Sequence, residues 1–291
     1  MPGGLTRAAI AVQPSWLRQV PDRVGDLLLP GDARVLFTGC GTSFHAALAC
    51  GRAAQALDLV QGLDADTDVL VAISHEGGTR LTLEAVEGFP GETWLITGTA
   101  ESKLAAAVDH VVVVTPEIEG SYCHTASYTS AIAAGRALLG EDVSGLAELV
   151  ERELEAEPLG ASDHERFAVV GGAQDLPTVL EAVLKLREGV HVAAEAHHTE
   201  QILHGHLAAI DSSVRSFVLE GTGRTAERAQ DVVRALEELG CRTTLVPTIH
   251  PVVDIVRFQR LTVDLADVRG IDPDRIRWDE DAWDRARRSY S

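Results

Sequence analysis

The feature that most restricts this chain is a repeated alternation: a short, wholly apolar burst, a stop at Gly, Ser, Thr or Pro, then an amphipathic stretch. Residues 34–38 (RVLFT) run into Gly39-Cys40-Gly41-Thr42-Ser43 and the alanine-rich FHAALACGRAAQAL. Residues 68–73 (DVLVAI) run into SHEGGT and LTLEAVEGF, residues 93–96 (TWLI) into GTAESKLAAAV, and residues 110–114 (HVVVV) into a loop before TASYTSAIAAGRALLG. Bursts of Val, Ile and Leu without polar alternation mark parallel strands buried on both faces, and the helical spacing between them supplies the cover. After the acidic stretch LAELVERELEAE, a composition break at residues 158–163 interrupts the cycle, which then restarts. Residues 166–170 lead to Gly171-Gly172 and one long predicted helix, TVLEAVLKLREGVHVAAEA; residues 214–219 lead to EGTG and AERAQDVVRALEEL; residues 242–247 follow. The expected fold class is α/β, with two doubly wound parallel-sheet domains in tandem. An N-terminal helical flank takes residues 1–30, the first domain 31–157, the linker 158–165, the second domain 166–270 and a C-terminal tail 271–291. A length of 291 residues suits that division, because domains cluster near about 100–150 residues.

Charge narrows the function. Asp and Glu number 44 against 25 Lys and Arg, a formal net charge of −19. Such a surface repels phosphate backbones and anionic lipid at long range, so neither nucleic acid nor membrane is an expected partner. No run approaches the ~18–20 apolar residues that a membrane helix needs. Four cysteines without a CxxC pair, and a start lacking a charged-then-apolar leader, give the expectation of a reduced, cytoplasmic chain.

In a doubly wound sheet the ligand sits beyond the C-terminal strand ends, where helix N-termini present free N–H groups. The turns after the first two predicted strands, GCGTS and SHEGGT, combine glycines with short hydroxyls and read as an oxygen-binding cradle of Gly41, Thr42, Ser43, Ser74 and Thr79. Each turn taken singly also reads as an ordinary tight turn. GCG lacks the third glycine of a dinucleotide fingerprint, and no acidic residue ends the second strand. A second dense region, residues 185–206, packs Lys185, Glu188, Glu195, Glu200 and five of the 11 histidines together. Lys185 and Glu188 are three apart and share a helical face. The same residues also fit a solvated, salt-bridged face. His197, His198, Glu200, His204 and His206 are competent metal ligands, but their spacing matches no compact zinc pattern, so no metal and no cofactor are expected. The third reading is proton transfer beside a carbonyl, which needs a carboxylate and an imidazole facing the substrate.

Four segments, FTGCGTSFHAA, AISHEGGTRLTLEA, EGSYCHTASYTSAI and VLEAVLKLREGVHVAAEAHHTEQILHGHLAAID, resemble in order and spacing the double sugar-isomerase (SIS) domain proteins. The general pattern is that of the isomerase half of glutamine:fructose-6-phosphate aminotransferase and of free-standing relatives that isomerise, deaminate or deglycate amino-sugar phosphates. The resemblance covers residues 10–211, with Gln13-Pro14 matching the opening motif and Asp272-Pro273-Asp274-Arg275 the tail. It implies that Ser43, Ser74, His75 and Thr79 line a sugar-phosphate cradle and that the loop 119–125, with Ser121, His124 and Thr125, touches substrate. It further implies that Glu188 is the enolisation base, with Lys185 one turn before it, and that His204 opens the sugar ring from across a homodimer interface. The chain departs from the family in two places. Glu76 stands where a phosphate-binding Ser is usual, and the tail after Asp274 has no lysine to reach the sugar C1–C2 region. The expected activity is that of a sugar or amino-sugar (phosphate) isomerase or deaminase, with ring opening followed by proton transfer between C1 and C2, on either a phosphorylated or an unusual, non-phosphorylated substrate. The expected partner is a small sugar or sugar phosphate. The alternative is a non-catalytic sugar sensor acting through a protein partner.

Overall fold

The computed structural model describes residues 2–62 and 66–289; the first residue of the flank, three residues of the first predicted domain and the last two of the tail lie outside them. Helices α1 (Gly4–Leu17) and α2 (Val20–Val24) precede a first unit of β1 (Val35–Gly39), α3 (Thr42–Cys50), β2 (Ala53–Gln55), α4 (Ala56–Val60), β3 (Val69–Ile73), α5 (Arg80–Glu87), β4 (Glu92–Thr97), β5 (His110–Val113), α6 (Ala126–Leu138) and α7 (Leu146–Glu155). The chain then builds β6 (Arg166–Gly171), α8 (Leu176–Val190), β7 (Ala193–His198), α9 (Thr199–Ile202), β8 (Val214–Leu219), α10 (Arg224–Glu238), β9 (Arg242–Val246), α11 (Pro251–Arg269) and α12 (Asp281–Arg288). Two separate sheets result, in the orders β2-β1-β3-β4-β5 and β7-β6-β8-β9, and every described strand pair is parallel.

The apolar runs explain the layering. All five residues of β3 and all six of β8 are buried, so both faces of each central strand are covered. One core runs from Val71 and Ile96 of the first sheet, through helices α3, α6, α8 and α11, to Phe167 and Phe217 of the second. Smaller clusters close the outer faces: Leu36, Leu70 and Leu95 on one side, and Val170, Val218 and Leu236 on the other. Order in the first sheet reverses between β1 and β3. That switch point leaves a crevice at their C-terminal ends, into which both glycine-rich turns open.

Two strands depart from the sequence expectation. The long helix expected through residue 196 ends at Val190, because His191 takes φ 59°, a left-handed conformation that stops a helix. Residues 193–198 then pair with β6, which gives their backbone groups the partners a continued helix would have supplied. The edge strand β2, three residues long, lay within a stretch read as helical. At the other end of the molecule the tail returns to the N-terminus. Asp272 accepts from the Gly3 amide at 2.8 Å, and Asp274 accepts from the Leu5 and Thr6 amides at 2.9 and 2.7 Å. These carboxylates satisfy first-turn donors of α1 and complement its dipole. No helix among the described residues is long and apolar enough to cross a membrane.

Candidate active site

A cavity of about 820 Å³ opens at the switch point. Gly41, Thr42, Ser43, Ser74, His75, Glu76, Thr79, His124 and Glu188, all anticipated from sequence, line it. The turns can form because glycine occupies their strained corners. Gly41 has φ 57°, and at Gly77, with φ 65°, a Cβ would stand 2.1 Å from the Ser102 hydroxyl. The Ser74 and Thr79 hydroxyls lie 3.5 Å apart on the cradle floor.

Glu188 projects from α8 on the cavity wall, and its Oε2 accepts from the Lys185 ammonium at 2.8 Å. Lys185 itself is fully buried behind the wall. Its three protons find three acceptors: Glu188, Glu181 Oε1 at 3.2 Å and Thr42 Oγ1 at 3.3 Å. Burial alone would lower the lysine pKa, but the Glu181 and Glu188 carboxylates outweigh it and raise the pKa well above the usual value. Burial likewise pushes Glu181 upward, yet Lys185 and His45 hold it below the ordinary carboxylate value. His45 Nδ1 lies 2.7 Å from Glu181 Oε2, and Thr42 donates to Oε1 at 3.1 Å. The result is a buried chain, His45–Glu181–Lys185–Glu188, that presents one oxygen of its last carboxylate, Oε1, without a partner among the described residues.

The loop before α6 is held from three sides. Glu119 is buried and accepts from the amides and hydroxyls of Thr125 and Ser127 at 2.6–3.0 Å, filling the N-terminus of α6. Its own amide donates to His75 Nε2 at 2.8 Å, which ties the loop to the cradle turn. Ser121 accepts from the Cys123 amide at 3.1 Å and lies 2.8 Å from the Thr6 hydroxyl. Ser121 and Thr125, expected to touch substrate, are therefore buried behind the wall with their hydroxyls committed to holding the loop. His75 and His124 sit edge to face at 5.5 Å, and burial, the largest cause, lowers each to about 4, so both are neutral at pH 7. Burial pushes the Cys123 thiol up to about 12, which removes it as a nucleophile.

His204 stands apart. It is exposed, bonds Glu200 at 2.7 Å and is absent from the cavity wall of its own chain. The sequence reading missed Glu181 and His45, although Glu181 lies four residues before Lys185 on one helical face. It also missed the cavity-lining Tyr122, Tyr128, Ile276 and Trp278. Tyr128 is buried, and its hydroxyl has no partner among the described residues. Glu76 lines the cavity with its side chain in no hydrogen bond or ion pair among those residues, and the lining contains neither Lys nor Arg.

No family model matches the chain. It is 26% identical to the isomerizing glutamine–fructose-6-phosphate aminotransferase of Methanothermobacter thermautotrophicus over 83% of its own length and 50% of that protein's, so it spans about half the length of the curated relatives it matches. Among solved structures it is similar to a glucosamine-6-phosphate deaminase from Thermotoga maritima (TM-score 0.76, 22% identity, 94% of this chain and 97% of that one). It is also similar to tagatose-6-phosphate ketose/aldose isomerase from Escherichia coli (TM-score 0.79, 17% identity, 95% and 97%). The resemblance carried by the four motifs is thus matched in sequence and in fold: the chain shares its fold with a glucosamine-6-phosphate deaminase and a ketose/aldose isomerase, and its curated sequence relatives include isomerizing glutamine–fructose-6-phosphate aminotransferases.

Proposed function

We propose that the protein is a sugar or amino-sugar isomerase or deaminase whose base is Glu188. The observation that carries this reading is the carboxylate on the cavity wall, tethered through one oxygen to a fully buried ammonium with the other oxygen unpartnered. Glu188 takes a proton from the hydroxyl-bearing carbon beside a carbonyl and the electron pair moves into that carbonyl; the proton of that hydroxyl passes to the former carbonyl oxygen through the enediolate, and Glu188 returns its proton to the former carbonyl carbon. Lys185 fixes the carboxylate and counters its charge. His204, supplied by a second copy, moves the ring proton that opens the sugar. Relatedness to isomerizing aminotransferases, and the fold shared with a deaminase and a ketose/aldose isomerase, support the reaction class.

The cradle favours a ligand group that is uncharged or cationic. A carboxylate and a phosphate charge about 4 Å apart at an effective dielectric of ~20 repel by about 4 kcal/mol, more than the ~1 kcal/mol of a single hydrogen bond. Among the described residues no Lys or Arg lines the cavity to offset Glu76, and the neutral histidines supply no cation. The test is proton exchange in deuterated water, followed by NMR with fructose, glucosamine and their 6-phosphates. Wild type exchanges the proton at C1 or C2 of one of them, and Glu188→Gln slows that exchange about 10²-fold or more while leaving binding in place. Binding without exchange of any sugar by wild type would make the protein a sensor and overturn the catalytic reading.

A further inference from the structure

The wall beside Glu188 is aromatic, and the fold holds it in place. Tyr122, on the loop before α6, and Trp278, in the tail, line the cavity with Ile276. Their rings stack at 5.2 Å with 28° between planes, and the Arg287 guanidinium covers Trp278 at 3.8 Å. In a chain with only 4 Trp, 3 Tyr and 6 Phe, two of these rings stand 49% and 43% exposed at one cavity. One hydrogen-bond chain positions both carriers. Thr6 donates its hydroxyl to Asp274 at 2.7 Å and so accepts from Ser121 at 2.8 Å, which joins the tail to the loop. The tail reaches the cavity through Ile276 and Arg277 at φ 40° and 61°, a left-handed path that non-glycine residues keep only where surrounding contacts impose it.

This wall adjoins the reacting end of the site. A Cβ on Gly189, next to Glu188, would stand 3.4 Å from Pro273 of the tail and 3.6 Å from Cys123, the neighbour of Tyr122. The cavity exceeds what a six-carbon sugar fills and lies within the range of about 300–1,000 Å³ typical of pockets for larger ligands. Its charged lining residues are both acids, Glu76 and Glu188. An electron-rich ring stack beside carboxylates suits a protonated amine bearing an apolar group. We propose that Tyr122 and Trp278 form a subsite for an apolar or aromatic amine substituent carried on the sugar carbon that faces Glu188; the placement of that carbon rests on the function proposed above.

The test uses the full chain and three probes: 1-amino-1-deoxyfructose, its N-benzyl derivative, and benzylamine alone. By calorimetry, wild type binds the N-benzyl sugar at least tenfold tighter than the parent. Tyr122→Ala brings the ratio below threefold with the parent's affinity unchanged, and Tyr122→Phe, which keeps the ring, retains the preference. Saturation-transfer NMR shows benzylamine ring contact in wild type and its loss in Tyr122→Ala. Equal affinities for the two sugars, or benzylamine contact that survives Tyr122→Ala, would overturn the subsite. If neither sugar binds while benzylamine contacts the wall and is lost in Tyr122→Ala, the subsite stands and the sugar reading fails. If Tyr122→Ala splits an oligomer and leaves every probe affinity unchanged, the stack is an interface and the subsite is overturned.

Discussion

Glu76 is the single residue that most alters what this cavity can hold. Ser43, Ser74 and Thr79 line the same cavity as Glu76, so hydroxyls suited to an anion and a carboxylate share one cradle. Replacing that carboxylate by the hydroxyl usual at its position removes the proposed like-charge repulsion and restores a donor. The expected outcome for Glu76→Ser is a gain of at least tenfold in affinity for a sugar 6-phosphate, with little change for the unphosphorylated parent, read by calorimetry on both ligands. A wild type that already prefers the phosphate, with no response to the substitution, would show that Glu76 does not face the ligand. Glu76 was legible in the sequence because a motif position fixes its place in the turn. Glu188 was legible for the same reason, together with the scarcity of lysine that drew notice to Lys185. Glu181 was hidden by its ordinariness: a Glu in a helix reads as solvated, and only burial against Lys185, His45 and Thr42 makes it part of the site.

Among the elements, the loop before α6 and the turn after β3 act as one unit, because His75 accepts the Glu119 amide. Burial first, then His124, lowers His75 to about 4, against the opposing pull of Glu119. Between that value and the ordinary ~6.5, the unfolded chain binds more protons than the folded one. The stability tied to neutral His75 is therefore complete above about pH 6.5 and is lost as pH falls toward 4. His75→Gln keeps an acceptor for the Glu119 amide without a titrating ring, so urea midpoints measured across that window should slope less steeply in the variant. His124 and His250, each lowered to about 4 chiefly by burial, and His191, lowered by the same cause, keep a slope of the same sign in the variant. Asp254, raised to about 7 chiefly by burial, works in the opposite direction, losing its contribution as pH rises through 7, and the substitution leaves it untouched. An unchanged slope would mean that His75 titrates normally. Sequence periodicity found the central strands because they are continuously apolar, as in β3 and β8. It missed β7, whose AAEAHH has helix-favouring Ala and Glu; a left-handed His191 and pairing with β6 decide that segment, and neither leaves a local signal. The tail's Asp272 and Asp274 stood out as a motif, but their grip on α1, which carries Trp278 to the cavity, is a contact spanning some 269 positions.

At the scale of the whole molecule, the decisive question is where His204 acts. It is 65% exposed as a side chain and does not line the cavity that holds Glu188, so one chain alone does not bring the two together. If, as proposed above, each His204 reaches the cavity of a second copy, the shared site has a consequence that no single-chain site shares. Glu188→Gln and His204→Asn are each expected to abolish most of the turnover of cyclic sugar. In a mixed dimer both substitutions fall in the same site, and the second site is intact. Equimolar mixing with subunit exchange should then restore about a quarter of wild-type activity, since half the dimers are mixed and half their sites are whole. The charge of −19 per chain opposes association at long range, so exchange is best run at physiological ionic strength, where the screening length is about 8 Å. Size-exclusion chromatography with differently tagged chains confirms that mixed dimers have formed. Their presence without recovered turnover would remove His204 from the partner's site; their presence with about a quarter of the activity would make the active site a property of the pair.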